Sequence, residues 1–122
     1  MTKEINSLVL AYLGDTIYED YVRIYLIEKG IANVNDLQSE SIKYSSAKAQ
    51  CEIVKKLISD NYFTDEELEI IKRARNHKTA SHPKNCDIVT YKYATGFEAL
   101  IGYLKLENKE ERINNIMKNI LK

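Results

Sequence analysis

Apolar residues return every three or four positions along most of this chain, the spacing of one face of an α-helix. The first stripe runs through Leu8, Ala11, Tyr12, Asp15, Glu19, Val22 and Leu26. It predicts a helix from about Glu4 to Lys29, with Gly30 as its stop signal. Asn33 or Asn35 can cap a short helix through Asp36 and Ile42. Ser45 or Ser46 can start the next, through Ile53, Val54, Leu57 and Ile58. Thr64 followed by Glu67 is a capping box ahead of Leu68, Ile70 and Ile71, in a helix expected to fade near Asn76. Residues 77–85 read as a loop closed by Pro83, and Asp87 can cap a long helix from Ile88 to Leu106. Asn108 is expected to start a last helix carrying Ile113, Ile116, Met117, Ile120 and Leu121. One proline, four glycines and no internal repeat favour helices over a sheet with many turns. The expected fold is all-α, with about six or seven helices in one domain spanning residues 1–122.

Two acids interrupt these apolar stripes. Asp15 is the only charged residue between Ile5 and Tyr18, and Glu98 the only one between Tyr93 and Leu104. Both are expected to be buried, and a buried carboxylate is usually paired or bound to a metal. Two such acids, far apart in sequence, suggest one shared site. Glu19, one helical turn after Asp15, is close enough to approach the same cation. Gly14 and Gly102 flank the acids; glycine inside a helix costs about 1 kcal/mol relative to alanine, so each should permit a close approach of helix or ligand. Carboxylate oxygens suit Mg²⁺ or Mn²⁺, which keep waters and bridge to phosphates. The alternative is structural: each acid pairs with a buried lysine, arginine or tyrosine.

Composition narrows the field less than charge placement does. Eighteen basic and eighteen acidic residues balance, so bulk charge predicts no partner. The charge is nevertheless segregated. Residues 1–71 hold seven basic and thirteen acidic residues, whereas residues 72–92 hold six basic residues and one acid, Asp87. Arg73, Arg75, Asn76, Lys78, Ser81 and Lys84 supply donors suited to phosphate oxygens, just before the helix of Glu98. A solvated basic loop is the alternative. His77, His82 and Cys86 match no standard zinc spacing and lack a fourth ligand. Nine tyrosines without tryptophan fit helix packing with polar tips better than a base-stacking platform. No apolar run reaches the roughly 20 residues that span a membrane, and the N-terminus lacks signal-peptide architecture. A cytoplasmic location with Cys51 and Cys86 as reduced thiols is the expectation.

The segment from Leu10 to Glu19, Leu-Ala-Tyr-Leu-Gly-Asp-Thr-Ile-Tyr-Glu, closely resembles the signature helix of the ribonuclease III catalytic domain. Residues 97–104, Phe-Glu-Ala-Leu-Ile-Gly-Tyr-Leu, resemble that domain's second acidic helix. Ser46-Ala47-Lys48-Ala49-Gln50, residues 73–78 and residues 83–87 look like the Mini-ribonuclease III branch, and the resemblance covers nearly the whole chain in order. It implies a homodimeric helical endonuclease that cuts double-stranded RNA with Mg²⁺, leaving 5′-phosphate ends. The branch lacks a separate double-stranded-RNA-binding domain and is associated with maturation of bacterial 23S ribosomal RNA; a large-subunit ribosomal protein is a possible helper. The chain's end at Lys122 is expected to leave no room for such a domain. The family's catalytic and metal-binding aspartate and glutamate fall on Asp15 and Glu98, and the chain is expected to grip RNA with its own basic segment, through Arg73, Arg75, Asn76, Lys78 and Lys84. Three positions depart from the family pattern: Leu8, Ala11 and Thr95 stand where longer members carry further acids. Glu19 is the candidate to compensate. Two rival readings are an inactive RNA-binding domain of the same fold and a structural helical dimer whose acids are core ion pairs.

Overall fold

A computed structural model describes residues 2–78, 82–84 and 86–122. Ser81 and Asn85, among the residues considered above, lie outside the described residues. The described part is a short 3-10 turn, Thr2–Glu4, and six helices: α1 (Ser7–Glu28), α2 (Val34–Ser45), α3 (Ala47–Ser59), α4 (Asp65–Arg75), α5 (Ile88–Leu106) and α6 (Glu110–Ile120). No helix is long and apolar enough to cross a membrane among the described residues.

Side-chain caps set most of the helix starts. An N-cap oxygen accepts one of the backbone N–H groups that the first turn leaves unpaired. Asn6 does this for Leu8, Asn33 for Asp36, Ser46 for Ala49 and Asp87 for Thr90. Thr64 and Glu67 complete the expected capping box. Because Asn6 caps α1, the helix begins at Ser7, three residues later than its hydrophobic stripe implies.

Three helices end through a residue with positive φ: Gly30 (96°), Asn61 (55°) and Asn108 (59°). After each, the chain folds back so that Ile31, Tyr62 and Lys109 donate their backbone N–H to the carbonyls of Leu26, Leu57 and Leu104. Such left-handed closures suit glycine or asparagine. The expected role of Asn108 is thereby corrected. It closes α5, and α6 starts at Glu110 with no side-chain cap on Lys109.

Helix α5 is the hub. From Ala94 to Leu104 every residue except Glu98 is buried, and α1, α3, α4 and α6 all pack on it. The tightest approach is between α1 and α5. A Cβ added to Gly14 would lie 1.7 Å from the backbone oxygen of Glu98, and one added to Gly102 would lie 2.0 Å from that of Leu10. The two backbones touch there, as the paired glycines suggested.

This crossing also corrects the expected inner face of α1. Leu10, Ala11, Gly14, Tyr18, Val22 and Leu26 are buried, whereas Tyr12 is 81% exposed and Leu8 and Asp15 are exposed. The stripe turns toward the glycine contact, so Asp15 sits at its edge and not beneath it. Tyr18 is fully buried edge-on to Phe97, with ring centroids 5.5 Å apart, and its hydroxyl donates to the Tyr44 carbonyl. Tyr25 and Tyr103 likewise bond through their hydroxyls, to the Lys122 carbonyl and to Glu66.

Glu67 is 5% exposed and accepts two 2.8 Å hydrogen bonds from Arg112, tying α4 to α6. Arg112 also donates to the Tyr62 carbonyl and lies over the Tyr62 ring.

Candidate active site

The glycine contact brings together the two acids that the sequence singles out. Gly14 rests on the backbone of Glu98, so Asp15, the next residue of α1, projects beside the Glu98 side chain. Their carboxyls lie within hydrogen-bonding reach. Glu98 is half-buried, and burial together with the neighbouring Asp15 pushes its carboxyl up to about 8. Among the described residues neither acid forms an ion pair with lysine, arginine or histidine. The core-ion-pair reading of these acids therefore finds no partners.

Two adjacent carboxylates without a counter-charge repel one another, and a bound proton or a cation relieves that repulsion. Their oxygen donors fit a hard divalent cation, with Asp15 on the exposed side and Glu98 against the core. Asp15 opens onto a cavity of about 760 Å³ between α1, the end of α5 and the start of α6. Glu19, Asp20, Arg23, Lys105 and Glu110 also line it.

Glu19 is near enough for its charge to help raise Glu98, but its own Oε2 accepts from Arg23 Nε at 3.0 Å. The candidate third acid is thus engaged by a cation of its own helix. Among the described residues no three acids, histidines or cysteines converge to hold a metal. A cation bound between Asp15 and Glu98 would take its remaining ligands from water and phosphate.

One neighbour of Glu98 was missed. Gln50 of α3 is 2% exposed, and its Nε2 donates to Glu98 Oε2 at 3.3 Å. The available signal was a glutamine on the same helical face as Val54 and Leu57, an odd place for an amide. Thr95, by contrast, turns inward and bonds the Tyr91 carbonyl.

The basic residues divide. Arg73 and Arg75 lie two positions apart, which is about 200° around a helix, so they leave α4 on different sides. Arg73 donates to the Lys3 carbonyl near the N-terminal turn. Arg75 reaches the start of α5, with its guanidinium 5.4 Å from the Tyr93 ring centroid and a 3.4 Å bond to the Tyr93 hydroxyl. Lys55 of α3, not anticipated from sequence, lies 4.8 Å from the same ring centroid. Arg75 also bonds Asn76, while Lys78 and Lys84 are exposed in the connection that follows. Cys51 and Cys86 are free thiols lining one cavity with Lys48, Lys55 and Asp87.

Comparison with known proteins identifies the family of the chain. Residues 8–109 match the family described as Ribonuclease III domain. The chain is 49% identical over 112 residues to Mini-ribonuclease 3 of Brevibacillus brevis, covering 92% of this chain and 82% of that protein. It is 42% identical over 119 residues to Mini-ribonuclease 3 of Staphylococcus aureus, covering 98% and 89%. An X-ray crystal structure of a Fusobacterium nucleatum protein superposes with a TM-score of 0.84 at 38% identity, covering 96% of this chain and 92% of the other. A family match across most of the chain, near-full-length relatives and a shared helical fold agree: the chain belongs to the ribonuclease III domain family, within its Mini-ribonuclease 3 branch, and is an endoribonuclease.

Proposed function

We propose that this endoribonuclease hydrolyses phosphodiester bonds in double-stranded RNA, with Asp15 and Glu98 as its catalytic, cation-holding pair. The observation that carries this reading is the pair itself: two adjacent carboxyls without a basic partner among the described residues, one of them pushed up to about 8. Mg²⁺, or Mn²⁺ in its place, would be held by Asp15 and Glu98, where it supplies charge against the scissile phosphate and acidifies water. The chain's own residues do the rest. Glu98 is fixed by the buried α5, Asp15 faces the open cavity, and the α1–α5 glycine contact sets their separation.

Arg75, Asn76, Lys78 and Lys84, joined by Lys55, offer donors to RNA phosphates, and Arg73 adds charge from the other side of α4. Double-stranded RNA is read mostly by shape, phosphates and 2′-hydroxyls, which suits such a surface. The exposed Leu8, Val9 and Tyr12 lie together on α1, an apolar patch fitted to a second copy of the chain. A homodimer would align two sites, one for each strand. The branch supports the 23S ribosomal RNA precursor as substrate, 5′-phosphate products, action in the cytoplasm, a single catalytic domain over residues 1–122 and assistance from a large-subunit ribosomal protein.

The test is incubation of a long double-stranded RNA with wild type, Asp15→Asn and Glu98→Gln, each with Mg²⁺ or EDTA. Discrete 5′-phosphorylated fragments are expected only from wild type with Mg²⁺. RNA left intact by wild type in Mg²⁺, but retarded on a gel, would instead favour a domain that binds without cutting.

A further inference from the structure

Gln50 occupies a place where its chemistry is a burden to the fold. It is 2% exposed, on the α3 face that also buries Cys51, Val54 and Leu57. Its Nε2 has two acceptors, Glu98 Oε2 at 3.3 Å and the Ser45 carbonyl at 3.4 Å. Its Oε1 is buried without a hydrogen-bond partner among the described residues. An orphaned buried acceptor costs about 1–3 kcal/mol. Methionine, of similar length and volume, would fill the space without that penalty. The unusual polar contact is the one with Glu98.

We propose that Gln50 is a positioning residue that holds the Glu98 carboxylate in place for a divalent cation. This rests on reading Asp15 and Glu98 as the cation-holding pair. Other side chains would serve the Glu98 carboxylate less well. A lysine or arginine would fix Glu98 equally well, but it would neutralise the carboxylate and repel a cation. An apolar side chain would leave Glu98 free to turn. A neutral amide donor does neither: it fixes one oxygen and leaves the negative charge available. Its hydrogen bond also opposes the upward push that burial and Asp15 exert on Glu98. Partners that orient metal ligands commonly change metal affinity or activity by about 10–100-fold when removed. The arrangement starts at the cap of α3. Ser46 accepts from Ala49 N, and Gln50 N donates to the Ser46 carbonyl, placing the amide one turn into the helix and against α5.

The test uses Gln50→Met, which keeps length and volume but has no N–H, and Gln50→Glu, which keeps the shape and adds a like charge. Three readouts are taken: thermal unfolding of the metal-free protein, Mn²⁺ binding followed by electron paramagnetic resonance, and cleavage kinetics at several Mg²⁺ concentrations. Gln50→Met is expected to unfold at or above the wild-type temperature and to bind Mn²⁺ about tenfold more weakly. Its kcat should fall by a similar factor at limiting Mg²⁺ and partly recover with excess, while KM for RNA stays unchanged. Gln50→Glu is expected to lose more activity than Gln50→Met. Wild-type Mn²⁺ affinity and kcat in Gln50→Met would overturn the proposal, as would a raised KM alone. Failure of both variants to fold would assign Gln50 to core packing and overturn it too. A carbon-13 NMR titration of the Glu98 carboxyl in metal-free protein separates the two readings. Its midpoint should rise in Gln50→Met even if wild type binds no Mn²⁺. An unchanged midpoint defeats the positioning role, whereas absent Mn²⁺ binding by wild type defeats the cation site.

Discussion

Gly14 decides how closely Asp15 approaches Glu98. With an added Cβ 1.7 Å from the Glu98 carbonyl oxygen, Gly14→Ala cannot be absorbed by a side-chain rotation, because the obstacle is backbone. The α1 and α5 helices must separate. The substitution is expected to destabilise the protein by about 3 kcal/mol, at the upper end of ordinary overpacking, and to depress cleavage further by parting the carboxyls. Gly30→Ala is the contrast: nothing lies within 4 Å, and only its φ of 96° resists a side chain. About 1 kcal/mol and unchanged cleavage are expected. Urea unfolding and cleavage assays on both variants check this. On the proposed reading of the acids as a cation-holding pair, loss of either should remove several kcal/mol of transition-state stabilisation. Asp15→Asn should therefore slow cleavage by about 100-fold or more without unfolding the chain. Near-wild-type cleavage by that variant would remove Asp15 from the site.

At the scale of elements, most helix starts and the buried faces of α3, α4 and α6 were legible, and the inner face of α1 was not. Asn33, Ser46, Thr64 and Asp87 cap where their residue type predicted, because a cap depends on backbone groups only two or three positions away. Asn108 misled because asparagine both caps helix starts and adopts the left-handed closure; Lys109 bonding back to Leu104 selects the second use. The inner face of α1 misled because Leu8 and Tyr12 are apolar yet exposed. Arg112 holds α6 to α4 through the buried Glu67. Arg112→Ala leaves that carboxylate without its charged partner, and a loss of about 3–5 kcal/mol is expected. Glu67→Gln in the same chain should recover part of it. A double-mutant cycle in urea measures the coupling, and additive losses would show that the pair does not act together.

For the whole molecule, Glu98 links stability to pH. Its folded carboxyl titrates near 8, against an ordinary value of 4.5. Between those values the folded protein keeps a proton that the unfolded chain has released, so metal-free stability falls as pH rises from about 4.5 to about 8. Glu67 acts in the opposite sense: its carboxyl is held below 4.5 by Arg112 and Thr64 despite burial, so its contribution is lost only as pH falls below that value. Thermal melts from pH 5 to 9 in EDTA should therefore show a decline that Glu98→Gln flattens and that Mg²⁺ offsets at the alkaline end. A wild-type profile with the same slope as Glu98→Gln would count against the shift. The exposed Leu8, Val9 and Tyr12 patch makes a separate prediction. Sedimentation should give twice the chain mass for wild type and the monomer mass for Tyr12→Arg.

The sequence by itself determined that the chain is helical, where most helices begin, and that two acids interrupt its apolar runs. These follow from neighbours within a turn or two, and an acid in an apolar run stands out without any structure. Tertiary structure alone decided that Asp15 is exposed while Glu98 is half-buried, that Gln50 meets Glu98, and that Arg73 and Arg75 part company. Each of these depends on how helices distant in sequence cross. That crossing is set by backbone contact at Gly14 and Gly102, a contact that residue spacing along one helix does not contain.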